Sequence, residues 1–225
     1  IGFVRWADEV NAQRGRGLEV QEILGYHLEQ AHRYLGELGP LDEQGVAIGQ
    51  DAAQRLSSAG KRAFARGDLH AAANLFRRAT ALLREDDPQR AELLPELGES
   101  LMGLGDFAGA RAALDAAMAS ARRLSNLRVK ASSQLVEMFM GLYSGQQGHR
   151  SDQTLAKTHE LIPLLEREQA HSELATAWRL IVQVHGMGGR YSLASEAAQR
   201  STLHARLAGN DRLIAKNSAI LSMNA

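Results

Sequence analysis

Two glycine-containing segments come closest to the spacing that nucleotide chemistry needs. Residues 57–62 read SSAGKR, and a phosphate-binding loop also places a lysine directly after a glycine, where backbone amides and the ammonium group hold phosphate oxygens. That loop needs a hydroxyl residue after the lysine and a further glycine earlier on, but these positions hold Arg62 and Arg55. The other segment, Gly186-Met187-Gly188-Gly189, follows no predicted strand, which a dinucleotide-binding loop requires. Both segments are therefore predicted to be structural.

The remaining residues contain no metal-binding or nucleophile motif. His27 and His32 are five residues apart, which places them on different faces of a helix. Neither the His-Glu-x-x-His of zinc proteases nor the Gly-x-Ser-x-Gly of serine hydrolases is present. The absence of cysteine excludes disulfides, thiolate-bound metals and cysteine nucleophiles. We therefore predict that this chain has no catalytic residue, metal or cofactor and is not an enzyme.

Charge and hydropathy exclude two further kinds of partner. The 26 basic and 26 acidic residues leave no basic excess of the kind with which nucleic-acid-binding proteins neutralise phosphates. No apolar run approaches the roughly 18 to 20 residues of a membrane-spanning helix. We expect no direct nucleic-acid partner and no membrane partner. The lack of cysteine fits a reducing cytoplasm, and the first residue, Ile1, indicates a piece of a longer protein.

The elements that position these residues are predicted to be helices in a repeat. Gly98 lies 38 residues after Gly60, and the Gly-Asp pairs at 67–68 and 105–106 have the same offset. Apolar residues recur at three- and four-residue spacing in both segments, which predicts amphipathic helices. The matched apolar positions are Leu56, Ala59, Ala63, Ala72, Phe76 and Ala79 in the first segment, and Leu94, Leu97, Leu101, Ala110, Leu114 and Ala117 in the second.

Each repeated position has a structural role in a hairpin of two helices. The small residue Gly60 allows the second helix to approach the first. Gly67 favours a left-handed end to the first helix, and Asp68 caps the start of the second. Ala72 is predicted at a tight contact between the two helices, and Phe76 fills the space between them. The second segment repeats this arrangement.

Further helices extend the pattern on both sides. We predict an amphipathic helix over Glu19–Leu38, and Asp42 as the start of the next helix. A third clear unit contains Trp178, and a degenerate unit precedes it. Pro95 and Pro163 are predicted to kink or restart their helices. The predicted organisation is a helical link to a preceding module over residues 1–40 and a repeat domain over 41–225. Its units lie near 53–88, 91–126, 129–168 and 171–208.

The repeated pattern resembles the tetratricopeptide repeat. That family combines a bulky residue, Leu-Gly, an aromatic residue and a Gly-Asp turn with a following run of Ala, Phe and Ala. This chain departs from it in having Leu56 and Leu94 in place of tryptophan, Ala63 and Leu101 in place of tyrosine, and a period of 38 residues. The resemblance implies an all-α fold, a right-handed superhelical array of antiparallel helix pairs.

A second resemblance concerns the wider context. The block from Glu22 to Gly39 (EILGYHLEQAHRYLGELG), a linker helix and the Gly-Asp repeats are similar to the region after the ATPase core of bacterial STAND-type signalling ATPases. Many of those carry a class III adenylate or guanylate cyclase domain, and others a LuxR- or SARP-type DNA-binding domain. The resemblance implies a cytoplasmic regulatory region for signal transduction, in a parent protein whose ATPase or cyclase activity lies elsewhere.

The tetratricopeptide resemblance also implies where a partner would bind, because the first helices of successive units line a concave groove. Transferred residue by residue, the groove positions are Gln54, Ser57, Lys61, Phe64, Glu92, Glu96, Glu99, Met102, Arg179, Gln183 and Met187. The expected partner is a protein or peptide, including other domains of the same chain. The alternatives are a sensor that binds a small effector in the groove, a scaffold that forms a homo-oligomer, and ordinary solvated faces without a partner.

Overall fold

A computed structural model describes residues 2, 4, 6, 21–143 and 151–222 of the protein, and most of these residues are helical. From residue 21 onward these residues form ten helices and no strand, which confirms the prediction of an all-α protein. No helix in these ranges is both long enough and apolar enough to cross a membrane. The helices are α1 (Gln21–Leu38), α2 (Glu43–Arg66), α3 (Leu69–Ala81), α4 (Pro88–Gly103), α5 (Phe107–Leu124), α6 (Leu127–Tyr143), α7 (Ser151–Arg167), α8 (His171–Met187), α9 (Tyr191–Leu207) and α10 (Asp211–Ser222).

Glycine and aspartate form the hairpin turns, as the repeat predicts. Gly67 and Gly105 have φ angles of +85° and +81°, left-handed conformations that glycine adopts at little cost. After the first turn, the Asp68 carboxylate accepts a hydrogen bond from the amide of Ala71 at 3.0 Å. Asp106 caps the start of α5 in the same way, at 2.9 Å. These carboxylates satisfy amide groups that have no partner within the helix.

The chain divides into two compact units, residues 1–113 and 114–225, and the boundary lies within α5. In the first unit α1 packs on α2, α2 on α3, and α3 on α4. Part of its core joins Leu24 and Leu28 of α1 to Ile48 and Ala52 of α2. In the second unit α8 packs on α6, α7 and α9, and α9 packs on α10. Consecutive helices joined by short turns thus pack side by side as hairpins in each unit.

The predicted boundary near residue 40 lies inside the first unit. Helix α1 packs on α2, and Glu29 of α1 forms a two-pronged ion pair with Arg78 of α3, with Nε–Oε2 at 3.0 Å. A guanidinium held by two hydrogen bonds fixes the orientation of both side chains. Residues 21–38 are therefore part of the fold of the first unit. The role of residues 1–40 as a link to a preceding module stays a prediction.

The helix bounds agree with the sequence patterns except at the two prolines. Pro95 and Pro163 lie inside α4 and α7, which are continuous, so neither proline restarts its helix, and the predicted kink stays a prediction. A proline removes one amide donor from the helix, and the remaining hydrogen bonds and the buried position of Pro95 keep α4 intact. The predicted start at Glu19 lies outside the described residues, and so does the turn that the sequence SGQQGHR predicts over residues 144–150.

A close approach between α2 and α3 confirms the role predicted for Gly60. A β-carbon at this position would lie 2.8 Å from Cε1 of Phe76, whose side chain is 1% exposed. The ring of Phe76 therefore occupies the space that any other residue at position 60 would need. Packed cores accommodate such added volume only with strain.

We expect Gly60→Ala to lower the free energy of unfolding by at least about 1 kcal/mol, because the ring of Phe76 is enclosed and has to shift. Urea denaturation followed by circular dichroism measures the change. Gly36→Ala is the matched control, since a β-carbon there meets nothing nearer than 4.0 Å and alanine favours the helix. Equal or greater stability of the Gly60 variant would contradict the packing of Phe76 on α2.

Candidate functional site

The first unit brings predicted groove residues of α2 and α4 together on one surface. The ammonium group of Lys61 lies 3.6 Å from Oε1 of Glu96, and both side chains are more than one third exposed. Near the other end of the same surface, the side-chain amide of Gln89 donates to Oε1 of Gln54 at 3.3 Å. Residues 35 positions apart in the sequence thus meet across two helices. This surface is polar, and its ion pair is exposed, so it contributes little to stability.

Ser57 does not belong to this exposed surface. It is 5% exposed, and its hydroxyl donates to the backbone oxygen of Gln54 at 2.9 Å. The apolar face of α2 is wide, because Ala53, Leu56 and Gly60 are buried beside it. Ser57, which is small and directly follows Leu56, therefore lies between helices and does not face solvent. In this conformation Ser57 offers no contact to a partner.

The other predicted positions of the first unit differ in accessibility. Glu92 is exposed, whereas Phe64, Glu96, Glu99 and Met102 are partly buried. Pro95, next to Glu96, is buried and so contributes no group to this surface. The surface of the first unit is thus made mainly of the polar and charged groups at positions 54, 61, 92 and 96.

In the second unit, two predicted residues of α8 line a pocket. Gln183 and Met187 contribute to a cavity of about 470 Å³ together with residues of α9 and α10. The third predicted residue, Arg179, lies one turn earlier on α8, and its guanidinium carbon is 5.5 Å from the centre of the Phe139 ring. The remaining residues of the pocket are Val182, Gly186, Tyr191, Ala194 and Ile220.

The pocket has the composition of a site for an apolar group. Five of its seven lining residues have apolar or aromatic side chains, and Gln183 supplies the one side-chain amide. Met187 and Tyr191 are each 62% exposed and form its accessible edge. Methionine adapts its shape to different partners, and tyrosine combines an apolar ring with a hydroxyl group, so both are common where proteins bind other molecules.

Sequence reasoning missed Tyr191 and Ile220 as members of this site. Tyr191 is the first residue of α9, after the glycine turn, and Ile220 belongs to α10, which lies outside the four predicted units. The spacing of Leu213, Ile214 and Ile220 predicts a helix over residues 211–221, but it does not predict that this helix borders a pocket. Helix α10 packs on α9 and supplies the third wall of the pocket, whose other two walls are α8 and α9.

An aromatic and cationic cluster lies along the same helix. The Arg200 guanidinium carbon lies 4.8 Å from the centre of the Trp178 ring, and the His159 ring meets the Trp178 ring edge-on at 6.3 Å. Further along α8, burial lowers the pKa of His185, with smaller contributions in the same direction from Arg190 and His159. Nδ1 of His185 is buried and has no hydrogen-bond partner among the described residues. The neutral form of His185 is thus favoured in the folded protein.

The lowered pKa of His185 predicts a stability that decreases on acidification. The unfolded chain takes up a proton on this residue as the pH falls through about 6.5, whereas the folded chain does so only at lower pH. The contribution of neutral His185 to the free energy of unfolding is therefore complete above about pH 6.5. It is lost as the pH falls towards the pKa of His185 in the folded protein.

Urea denaturation at several pH values between about 5 and 8 measures this effect. We expect the stability of His185→Gln to depend less steeply on pH over the acidic half of that range. His70→Gln, at an exposed residue of α3, controls for the removal of one imidazole. Parallel pH profiles for the wild-type protein and His185→Gln would contradict this account.

The glycine segments considered for nucleotide binding have structural roles. Residues 57–62 lie inside α2, and Gly188 and Gly189 form the turn between α8 and α9, with a φ angle of +68° at Gly189. Neither offers the loop of free amides that holds a phosphate. Within the described ranges, no three histidine, aspartate or glutamate side chains converge as ligands for a metal ion.

Comparisons with known proteins identify no family. A scan against protein-family models finds no match, and a search of curated protein sequences finds no significant match.

Proposed function

We propose that this chain is a protein-interaction module of the tetratricopeptide type, with its helical hairpins in a right-handed superhelical array, and that it binds a peptide segment of a protein partner. The observation that carries the proposal is the pocket formed by α8, α9 and α10. Its volume of about 470 Å³ is sufficient for a large apolar side chain with its neighbouring backbone. We propose that such a side chain is the anchor of the bound segment.

The composition of the pocket supports a peptide as the ligand. An exposed apolar edge made by Met187 and Tyr191 costs solvation free energy in the free protein, and a bound apolar side chain removes that cost. Gln183 supplies both a donor and an acceptor for the backbone of a bound segment. Arg190 lies in the turn between Met187 and Tyr191, so an acidic residue beside the anchor would find an opposite charge there.

The first unit offers a second, polar surface for the same kind of partner. Its four principal groups carry both signs of charge, with Lys61 beside Glu96 and with Glu92 exposed. Exposed groups of this kind contribute more to specificity than to affinity. We propose that this surface selects among partners, whereas the apolar pocket supplies most of the binding free energy.

We further propose that the module regulates a larger signalling protein, as the resemblance to the region after the core of STAND-type ATPases implies. In that setting the partner is a protein or another domain of the same chain. The chain itself is proposed to have no ATPase or cyclase activity and to function in the cytoplasm. A steady-state assay of ATP hydrolysis by the purified chain tests the first point, and turnover that survives further purification would refute it.

A small effector is the second candidate ligand, because the volume of the pocket also lies within the range of small-molecule sites. The two candidates differ in what they need outside the pocket. A peptide extends beyond it and contacts neighbouring helices, whereas a small effector is enclosed by the residues that line it. A free amino acid or other small apolar molecule that binds as tightly as any selected peptide would favour the sensor function.

Selection from a library of linear peptides tests the proposed function. We expect the selected peptides to share an apolar anchor residue and to lose affinity about tenfold or more with Met187→Lys, which places a charge at the edge of the pocket. Leu207→Lys is the matched control, since Leu207 is 60% exposed and is likewise the last residue of its helix. Selected peptides that bind Met187→Lys as tightly as the wild-type protein, or a selection without enrichment, would contradict the proposal.

A further inference from the structure

Two histidines from different helices meet at one end of the α8–α9 hairpin. His171 is the first residue of α8, and His204 lies in the last turn of α9. Their Nδ1 atoms are 3.2 Å apart, with ring centres 5.4 Å apart and planes inclined by 24°, so the rings meet end to end through these nitrogens. A hydrogen bond between the two nitrogens needs one donor and one acceptor, so at least one of the imidazoles is neutral.

We propose that His171 and His204 form a binding site for a divalent late transition-metal ion of the Ni²⁺, Cu²⁺ and Zn²⁺ class. Imidazole nitrogens bind such ions at about 2.0 to 2.1 Å. The two Nδ1 atoms are 3.2 Å apart. If each binds one ion at the usual metal–nitrogen distance, the angle between the two bonds at the metal is about 100°. This angle lies between the values for tetrahedral and square-planar coordination. Each Nδ1 lone pair now points towards the other nitrogen, so both rings have to turn before the two lone pairs meet at one ion.

The protonation states of the pair are compatible with this role. Each histidine binds a metal through a nitrogen that carries no proton. The proton that the two Nδ1 atoms share therefore moves to Nε2 of the same imidazole, and both rings remain neutral.

The surrounding charges are balanced, with one carboxylate favouring a cation. The negative charge of Glu166 acts on His204, and the positive charge of Arg200 opposes it. The carbonyl end of α9 is favourable for a cation at His204, whereas the amide end of α8 is unfavourable at His171. Because only two protein ligands converge within the described ranges, water completes the coordination. Such a site favours ions with a preference for imidazole over Mg²⁺ or Ca²⁺, which prefer oxygen ligands.

A bound ion would join the first turn of α8 to the last turn of α9. The opposite end of this hairpin is already closed by the turn over residues 188–190. The metal would therefore act as a cross-link that stabilises the hairpin carrying Met187 and Tyr191 of the pocket. This inference does not depend on the proposed peptide ligand.

Calorimetric titration of the untagged, chelator-treated protein with Ni²⁺ tests the site. We expect one ion per chain at the pair and a rise in melting temperature of about 5 to 10 °C at one hundred times the dissociation constant. His171→Asn and His204→Asn should each abolish both effects, while asparagine preserves a hydrogen bond in place of Nδ1. His70→Asn, at an exposed histidine, should leave both unchanged.

Circular dichroism of each variant without metal first establishes that it is folded, so that a loss of Ni²⁺ binding is not due to unfolding. Loss of binding in both pair variants, with binding retained in His70→Asn, supports the site. Equal Ni²⁺ binding by the wild-type protein and either pair variant would overturn it, and so would a wild-type protein that binds no Ni²⁺. Mg²⁺ in place of Ni²⁺ should give neither heat nor a shift in melting temperature.

Discussion

Replacing Phe76 with alanine is expected to lower the free energy of unfolding by about 3 to 5 kcal/mol. The side chain is 1% exposed and is among the largest fully buried side chains of the protein. Its ring lies against Gly60 of the preceding helix, so its removal opens a cavity between α2 and α3 that the backbone of α2 can fill only by moving. The loss combines the lost transfer free energy with the cost of that cavity.

Urea denaturation followed by circular dichroism measures this loss. Phe107→Ala is the matched control in the same unit, because Phe107 is 39% exposed and its removal leaves no comparable cavity. We expect the control to lose far less stability than Phe76→Ala. Similar losses for the two variants would mean that position 76 does not occupy the centre of the hairpin, and that the repeat has been aligned incorrectly.

Replacing Ser201 with alanine is expected to cost about 2 to 3 kcal/mol, because it breaks a buried polar network that joins three helices. The Ser201 hydroxyl donates to the backbone oxygen of Ala175 on α8 at 2.8 Å. It also accepts from Nδ2 of Asn217 on α10, likewise at 2.8 Å, and both side chains are 0% exposed. Alanine would leave the amide of Asn217 buried without this acceptor.

Asn217→Leu distinguishes this explanation from a simple packing defect. Oδ1 of Asn217 is already buried without a hydrogen-bond partner among the described residues. Leucine removes that unsatisfied atom together with the donor, so we expect a smaller loss than for Ser201→Ala or none. The double variant should regain part of the stability lost by Ser201→Ala alone. A double variant less stable than either single variant in urea would contradict this account.

The sequence predicted the hairpins well because their determinants are local. Gly67 followed by Asp68 specifies a left-handed helix end and a capped helix start within two residues. The repeat of Gly60 at Gly98 predicted which face of the first helix of each hairpin contacts the second helix closely. In the first hairpin, the packing of Phe76 on Gly60 confirms this prediction. Such features need no information about distant parts of the chain.

The candidate sites were less predictable because they depend on contacts between distant residues. His171 and His204 are 33 positions apart, and no motif joins them before α8 and α9 pack together. Ser57 was expected in a groove, but the width of the buried face of α2 places it between helices. Asn217 lies among apolar residues at helical spacing, and its role depends on Ser201 of another helix. Periodicity alone cannot specify these pairings.

Methyl NMR of the methionines tests the proposed binding function most directly. The described residues contain Met187 at the edge of the pocket and Met102 on the predicted surface of the first unit, while Met138 and Met140 are buried in α6. Addition of a peptide selected by the wild-type protein should change the Met187 resonance most strongly. Met138 and Met140 should change little, since the helices remain folded. Saturating peptide binding that leaves the Met187 resonance unchanged would contradict the proposal that the α8–α9–α10 pocket is the site of protein recognition.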